Sequence, residues 1–163
     1  TIRRTLWNTG EHRIETDHYS HNFVLMGDAV PDERIELETE IAVDPPHRLN
    51  GAILFEGKRI RFPVPMPGRP GGHHADLFEI SGTEADLPPA FNRGLWRNRE
   101  TGMELAFTGS LPLRKLVFYG LGRSLSLEPF VRIEVDPGGS LSWTTTYTFS
   151  RFAETEEGFE PAS

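Results

Sequence analysis

An all-β chain, folded as a sandwich or a barrel, is what this sequence predicts, and three observations carry the prediction. In the last long segment, SLSWTTTYTFSRF, Leu141, Trp143, Thr145, Tyr147 and Phe149 fall on one face and Ser142, Thr144, Thr146, Thr148 and Ser150 on the other. That alternation is the mark of a sheet that covers a core on one side. Short apolar runs recur along the chain, divided by Gly, Pro, Asn and Asp. No segment has the period of an amphipathic helix of ordinary length.

The elements follow in order. The residues from Thr1 onward already look like a strand, and HYSHNFV, His18 to Val24, reads as another, with His18 and His21 three apart. ERIELETEIAV, Glu33 to Val43, places Ile35, Leu37, Thr39 and Ile41 on one side and charged residues on the other for most of its length, so a half-buried strand is expected. NGAILFEGKRIRF holds two short apolar runs with a turn at Glu56 and Gly57. PVPMPGRPGG, Pro63 to Gly72, has too much proline and glycine for a regular element. It is expected to be a loop that borders a pocket. ADLFEIS, RGLWRN and MELAFTG are the next strands, the last two joined by a turn at Glu100 to Gly102. LRKLVFYG, SLSLEPFVRIEV and the final strand close the chain, with DPGG as the last turn. In SLSLEPF, Leu125 and Leu127 share one face and Ser126 and Glu128 the other, and Pro129 is expected to interrupt the ladder there.

Composition narrows the function. A chain of 163 residues, 37% hydrophobic and 25% charged, suits one soluble globular domain, read here as residues 1–152 with an acidic tail at 153–163 that frays. With 24 acidic and 17 basic residues the net charge is −7, which repels a nucleic-acid backbone or an anionic membrane surface. The chain has no cysteine, so disulfide frameworks and cysteine catalysis are excluded and a cytoplasmic location is the expectation. No run is long and apolar enough for a membrane-spanning helix, and no signal peptide is visible.

Few side chains are placed for chemistry. The chain has no G-x-S-x-G elbow, P-loop or H-E-x-x-H. His73 and His74, with Asp76 and Glu79, suggest a cupin-like metal site, but adjacent residues on a strand point to opposite faces and the H-x-H spacing is missing. A solvated loop end is the simpler reading of that stretch, and His12 and His47 read as surface groups near turns. His18, His21 and Glu128 remain. On periodicity alone Glu128 is an exposed strand charge, while its position beside Pro129 also suits a carboxylate aimed into a cleft.

Three stretches together resemble the aldose 1-epimerases, the galactose mutarotase-like superfamily. LSLEPF followed by IEVDPGGSLSWTTTYTFS resembles the family's C-terminal end, with a Glu at a strand end, a Pro-Gly turn and an aromatic-rich last strand. NRETGMELAFTGSLPLRKLVFYG resembles the segment before that Glu, and NTGEHRIETDHYSHNFVLMG the segment that supplies a catalytic histidine. The resemblance implies an antiparallel β-sandwich, a mutarotase-like supersandwich in reduced or partial form, that interconverts anomers of an aldose or sugar derivative. It implies Glu128 as general base and His21 as general acid, with His18 as a further polar contact to the sugar. Asn22, Asn92, Trp96 and Tyr119 are the other expected sugar contacts, the two aromatics as flat apolar faces. Neither metal nor organic cofactor is implied. The implied partner is a small-molecule sugar, with no nucleic acid and no membrane, and with either a homo-oligomer or a missing N-terminal half completing the molecule.

The chain also departs from the family. Members are commonly about twice as long, with an Arg and another His in the first half. Their Asp-His-Asn-Phe-type motif has no match, and AFNRGLW, with Asn92 and Arg93, stands in its place. Two other readings therefore accompany the first: a carbohydrate-binding sandwich without turnover, and a small β-barrel that binds or cyclises an apolar ligand, supported by the Trp, Tyr and Phe content.

Overall fold

The computed structural model describes residues 1–43, 52–68, 70–79 and 85–151. The expected surface position of His47 and the tail at 153–163 lie outside the described residues. The strands, in chain order, are β1 (Ile2–Trp7), β2 (Ile14–Tyr19), β3 (Val24–Leu25), β4 (Ile35–Thr39), β5 (Leu54–Glu56), β6 (Arg59–Arg61), β7 (His73–Glu79), β8 (Arg93–Asn98), β9 (Met103–Gly109), β10 (Lys115–Leu121), β11 (Ser124–Val135) and β12 (Ser140–Arg151). A single short 3-10 turn, Pro89–Phe91, precedes β8 among the described residues. No helix among them is long and apolar enough to cross a membrane.

Two antiparallel sheets face each other. One has seven strands in the order β1-β12-β9-β8-β4-β6-β5, and the other runs β2-β11-β10-β7 with β3 also pairing to β11. Among the described residues each path ends on a strand paired on one side only, so the sheets do not close on each other. The all-β expectation thus resolves to a sandwich and the barrel reading is corrected. Leu37, Ile60, Trp96, Leu105 and Phe107 of the larger sheet meet Leu116, Phe118, Leu125 and Leu127 of the smaller in one buried core. Gly94 lets the sheets approach, because any side chain there would collide with the Phe107 ring and Leu127.

The period-two alternation predicts most faces correctly, and the exceptions have physical causes. Leu141 and Trp143 turn inward onto Val131, Ile133 and Val135, and Tyr147 packs partly against the main core. Phe149 has the same parity but is 73% exposed, because it falls in the end of β12 where Thr148 to Arg151 are all exposed, although its partner Leu105 is buried. On β4 the charged side was expected in solvent, yet Glu36 is buried. Arg99, Arg97 and Arg59 approach its carboxylate at 3.2, 3.8 and 4.0 Å. The three arginine side chains themselves stay partly exposed. The β5–β6 connection falls one residue later than expected, on Gly57 and Lys58, since Glu56 pairs with Arg59. Gly57 sits at φ +58°, which glycine adopts without steric penalty.

Burial separates two aromatic substitutions. Trp96→Ala should lower the unfolding free energy by about 3–5 kcal/mol, whereas Phe149→Ala should change it by no more than about 0.5 kcal/mol. Urea denaturation of both variants checks the contrast.

Candidate functional site

The smaller sheet brings Glu128 and His21 together through an interruption in its ladder. On β11, Val131 to Val135 pair with β2 and Ser124 and Leu125 pair with β3. Tyr19 lies opposite Phe130 and Val24 opposite Leu125, so four residues on each side, 20–23 and 126–129, face each other in unchanged register without strand pairing. Pro129 stands in this gap and has no N–H to offer the neighbouring strand. It leaves the other edge of β11 intact, where Pro129 still pairs with Leu116 of β10. The expected interruption is therefore real but one-sided.

Within the gap, His21 is directly across from Glu128. His21 Nδ1 donates to Glu128 Oε1 at 2.5 Å, and with both groups charged the contact is also an ion pair. The two differ in freedom: the Glu128 side chain is 5% exposed and that of His21 52%. Leu125 and Leu127 enter the core, so Ser126, Glu128 and Phe130 belong to the opposite, outer face of the sheet. Tyr19, His21 and Phe23 continue that face on the neighbouring segment, and Lys115, Val117 and Tyr119 on β10.

Rings line this outer face. Tyr19 stacks on Phe130 with centroids 4.3 Å apart, and its edge meets the imidazole of His21 at 5.0 Å. Phe23 stacks on the other side of that imidazole at 5.4 Å and meets Tyr119 edge-on at 5.7 Å. Tyr19 and Phe23 are both substantially exposed. The Tyr119 hydroxyl donates to the carbonyl of Gly71 at 2.9 Å, so the end of the 63–72 loop borders this row through that tyrosine. Gly72, at φ +74°, is required where the loop meets β10, since a Cβ would press on the Gly120 carbonyl and the Tyr119 ring.

The other expected site residues are distributed differently. His18 pairs with Val131 on the inner face and meets the Trp143 ring edge-on at 5.2 Å, so the sheet separates it from the Glu128–His21 pair. Asn92 is buried and donates to the Leu111 carbonyl at 3.0 Å. His18 and Asn92 line one small cavity of about 20 Å³ between the sheets, with Trp143 and Thr145. Their Nε2 and Oδ1 atoms are buried without a protein partner. Trp96 is 0% exposed and tilted against Phe107 at 5.6 Å, so it has no face to offer a sugar. Asn22 is buried with both ends of its amide hydrogen-bonded. Of the expected set, Glu128, His21 and Tyr119 share the outer face.

Tyr19, Phe23 and Phe130 were missed. Reading HYSHNFV with period two puts Tyr19, His21 and Phe23 on one side, and the same rule parts His18 from His21. His73 and His74 do point to opposite faces: His73 is buried and donates from Nε2 to the Pro67 carbonyl, while His74 is exposed beside Asp76. A larger cavity of about 370 Å³ opens elsewhere, lined by Met26, Asp32, Arg34, Asn98, Arg123 and Leu125. Neither Glu128 nor His21 lines it.

No protein-family model matches the sequence, and neither does any curated protein. Solved structures do. The chain is similar to a protein of Synechocystis sp. PCC 6803, with TM-score 0.58, 14% identity and 92% of this chain over 50% of that one. It is similar to a candidate aldose 1-epimerase of Escherichia coli K12, with TM-score 0.59, 9% identity and 92% of this chain over 55% of that one. A galactose mutarotase-like protein of Clostridium acetobutylicum gives TM-score 0.56, 10% identity and 92% of this chain over 52% of that one. The chain thus has the mutarotase-like sandwich fold and spans about half the length of these proteins.

His18 provides a test in pH. Burial, and secondarily the nearby positive charge of Arg4, lower its pKa below the ordinary 6.5. Below about pH 6.5 the unfolded chain binds a proton that the folded chain resists, so stability falls as pH drops from that value toward the lowered one. Above it both states are neutral and His18 contributes nothing. Urea midpoints compared at about pH 7.5 and 5.5 should fall less for His18→Gln than for the parent chain.

Proposed function

We propose that this chain is a mutarotase-like protein that holds an aldose or related sugar derivative on the outer face of the smaller sheet and interconverts its anomers by acid–base catalysis. The single observation that carries the reading is the Glu128–His21 hydrogen bond of 2.5 Å, set in a fold shared with a galactose mutarotase-like protein. The exposed rings of Tyr19 and Phe23 beside it offer apolar faces to a sugar ring.

The chemistry balances with these two groups. Glu128, as carboxylate, takes the proton of the anomeric hydroxyl while His21, as imidazolium, gives a proton to the ring oxygen. The bond from the anomeric carbon to the ring oxygen breaks as the carbonyl forms. Rotation about the next carbon–carbon bond presents the other face of the aldehyde, and the reverse transfers close the ring and restore both groups. The pair is already in contact through Nδ1 and Oε1, so a sugar engages both groups through the remaining Nε2 and Oε2 or by displacing that hydrogen bond. The exposed His21 is the partner that moves, and the buried Glu128 the one that stays. Further sugar contacts would come from the remaining half of the fold, supplied by a longer chain or by a partner.

A second reading, carbohydrate binding without turnover, is favoured by the near-complete burial of the Glu128 carboxylate, at 5% side-chain exposure. Polarimetry on freshly dissolved aldoses, corrected for spontaneous mutarotation, separates the two. Glu128→Gln should lower turnover by about 10²- to 10⁴-fold with far less effect on binding, and His21→Asn should act similarly. The rate should follow a bell-shaped pH profile, since one group must be ionised and the other protonated. Calorimetric binding with no acceleration of any aldose would replace the enzyme reading with the binding one, and neither binding nor acceleration would overturn both.

A further inference from the structure

We propose that Asn22 is a positioning residue for the Glu128–His21 pair: its side-chain amide takes the place of the strand hydrogen bond missing beside Pro129 and so fixes His21 opposite Glu128. The consequence for turnover rests on the proposed function, whereas the positioning itself does not.

The geometry is specific. Asn22 Nδ2 donates to the carbonyl of Leu127, the residue before Glu128, at 2.9 Å. The hydroxyl of Tyr147, on β12 of the other sheet, donates to Asn22 Oδ1 at 2.5 Å. Burial pushes the Tyr147 phenol above its ordinary value, with Arg4 opposing the shift weakly, so the phenol keeps its proton at neutral pH and remains a donor. An amide offers one acceptor and one donating group, and here each end has a partner that matches it. Three segments thereby meet at one side chain: the one carrying His21, the one carrying Glu128, and a strand of the opposing sheet.

The need for such a tie follows from the gap. Residues 20–23 have no strand pairing, and the imidazole they carry is half-exposed. Without Asn22, the described anchors of His21 are its contact with Glu128, a 3.4 Å approach of the Tyr19 hydroxyl to Nε2, and two ring contacts. Asn22 itself is 7% exposed with both amide ends occupied, so it is not arranged to meet a sugar, as the sequence had suggested.

The test is nitrogen-15 NMR of the histidine rings in the full chain, at a pH where the imidazole is neutral, with no sugar present. In the parent protein His21 should hold its proton on Nδ1, facing Glu128. Asn22→Ala should abolish that single-nitrogen signature and leave a mixture of tautomers, and Tyr147→Phe should shift it in the same direction. Ile133→Val, a core change distant from the tie, serves as the stability control and should leave the signature intact. An unchanged Nδ1 signature in the Asn22 and Tyr147 variants overturns the proposal, as does its loss in the control. Should Asn22→Ala fail to fold, Tyr147→Phe alone decides. Where sugar turnover is measurable, Asn22→Ala should lower kcat by about 10- to 100-fold with KM little changed. A raised KM with kcat intact would make Asn22 a substrate contact and overturn positioning. Absence of all turnover with the NMR shift present would count against the enzyme reading and leave the positioning supported.

Discussion

A proline that cannot donate a hydrogen bond sets the geometry on which the site depends. β11 is the central strand of the smaller sheet, paired with β10 on one edge and with β2 and β3 on the other. Pro129 breaks the second edge without breaking the first, because the missing N–H matters only where a partner strand would accept it. Had the break shifted the register, His21 would face a different residue and every side chain beyond would change faces. Four unpaired residues on each side keep the register. The interruption therefore frees the backbone around His21 and still leaves its side chain across from Glu128.

Much of this was legible in the sequence. Alternation in β11 and β12 gave the sheet class and most inward positions, and Pro129 marked the irregular point. What sequence could not supply was extent. Phe149 has the parity of a core residue, but nothing in its neighbourhood of sequence tells that β12 is exposed from Thr148 to Arg151. Trp96 shows the opposite failure, since an aromatic ring on a strand looks alike whether it faces a ligand or a closed core, and only the partner residue Phe107 decides it. Glu36 likewise reads as a surface charge until three arginines from β6, β8 and the segment after β8 converge on it. The separation of His18 from His21 was available from the start, because an odd spacing on a strand parts two side chains.

The two outer faces of the sandwich differ in what they leave unpaired. On the larger sheet, charges answer each other across strands: Arg61 meets Glu56, Arg97 meets Glu38 and Glu104, and Glu36 is enclosed by arginines. A ligand arriving there would have to compete with pairs already formed, and neutral sugar hydroxyls are poor competitors for a charged donor. The smaller sheet has its ion pairs toward β7, where Lys115 meets Asp76 and Glu79, and at the far end of β11, where Arg13 and Arg132 meet Glu134. Around Glu128 its neighbours are rings, an apolar Val117 and the buried Ser126 hydroxyl, which has no protein partner.

That distribution bears on how a buried carboxylate is tolerated. A charge removed from water is costly unless it is paired and hydrogen-bonded, and the described partner of the Glu128 carboxylate is the His21 imidazole. A lysine or arginine in place of His21 would satisfy the charge permanently and would hold a proton too tightly to give it to a ring oxygen. An amide would satisfy the hydrogen bond but carry no proton to give. Under the proposed function histidine alone would meet both demands, and its half-exposed side chain is the one a ligand would replace at Glu128. The hydrogen bonds through Asn22 and Tyr147 engage the backbone beside the pair and leave the side chains of Glu128 and His21 outside them. Under the proposed positioning role, they would narrow where His21 can go without using the hydrogen bond between His21 and Glu128.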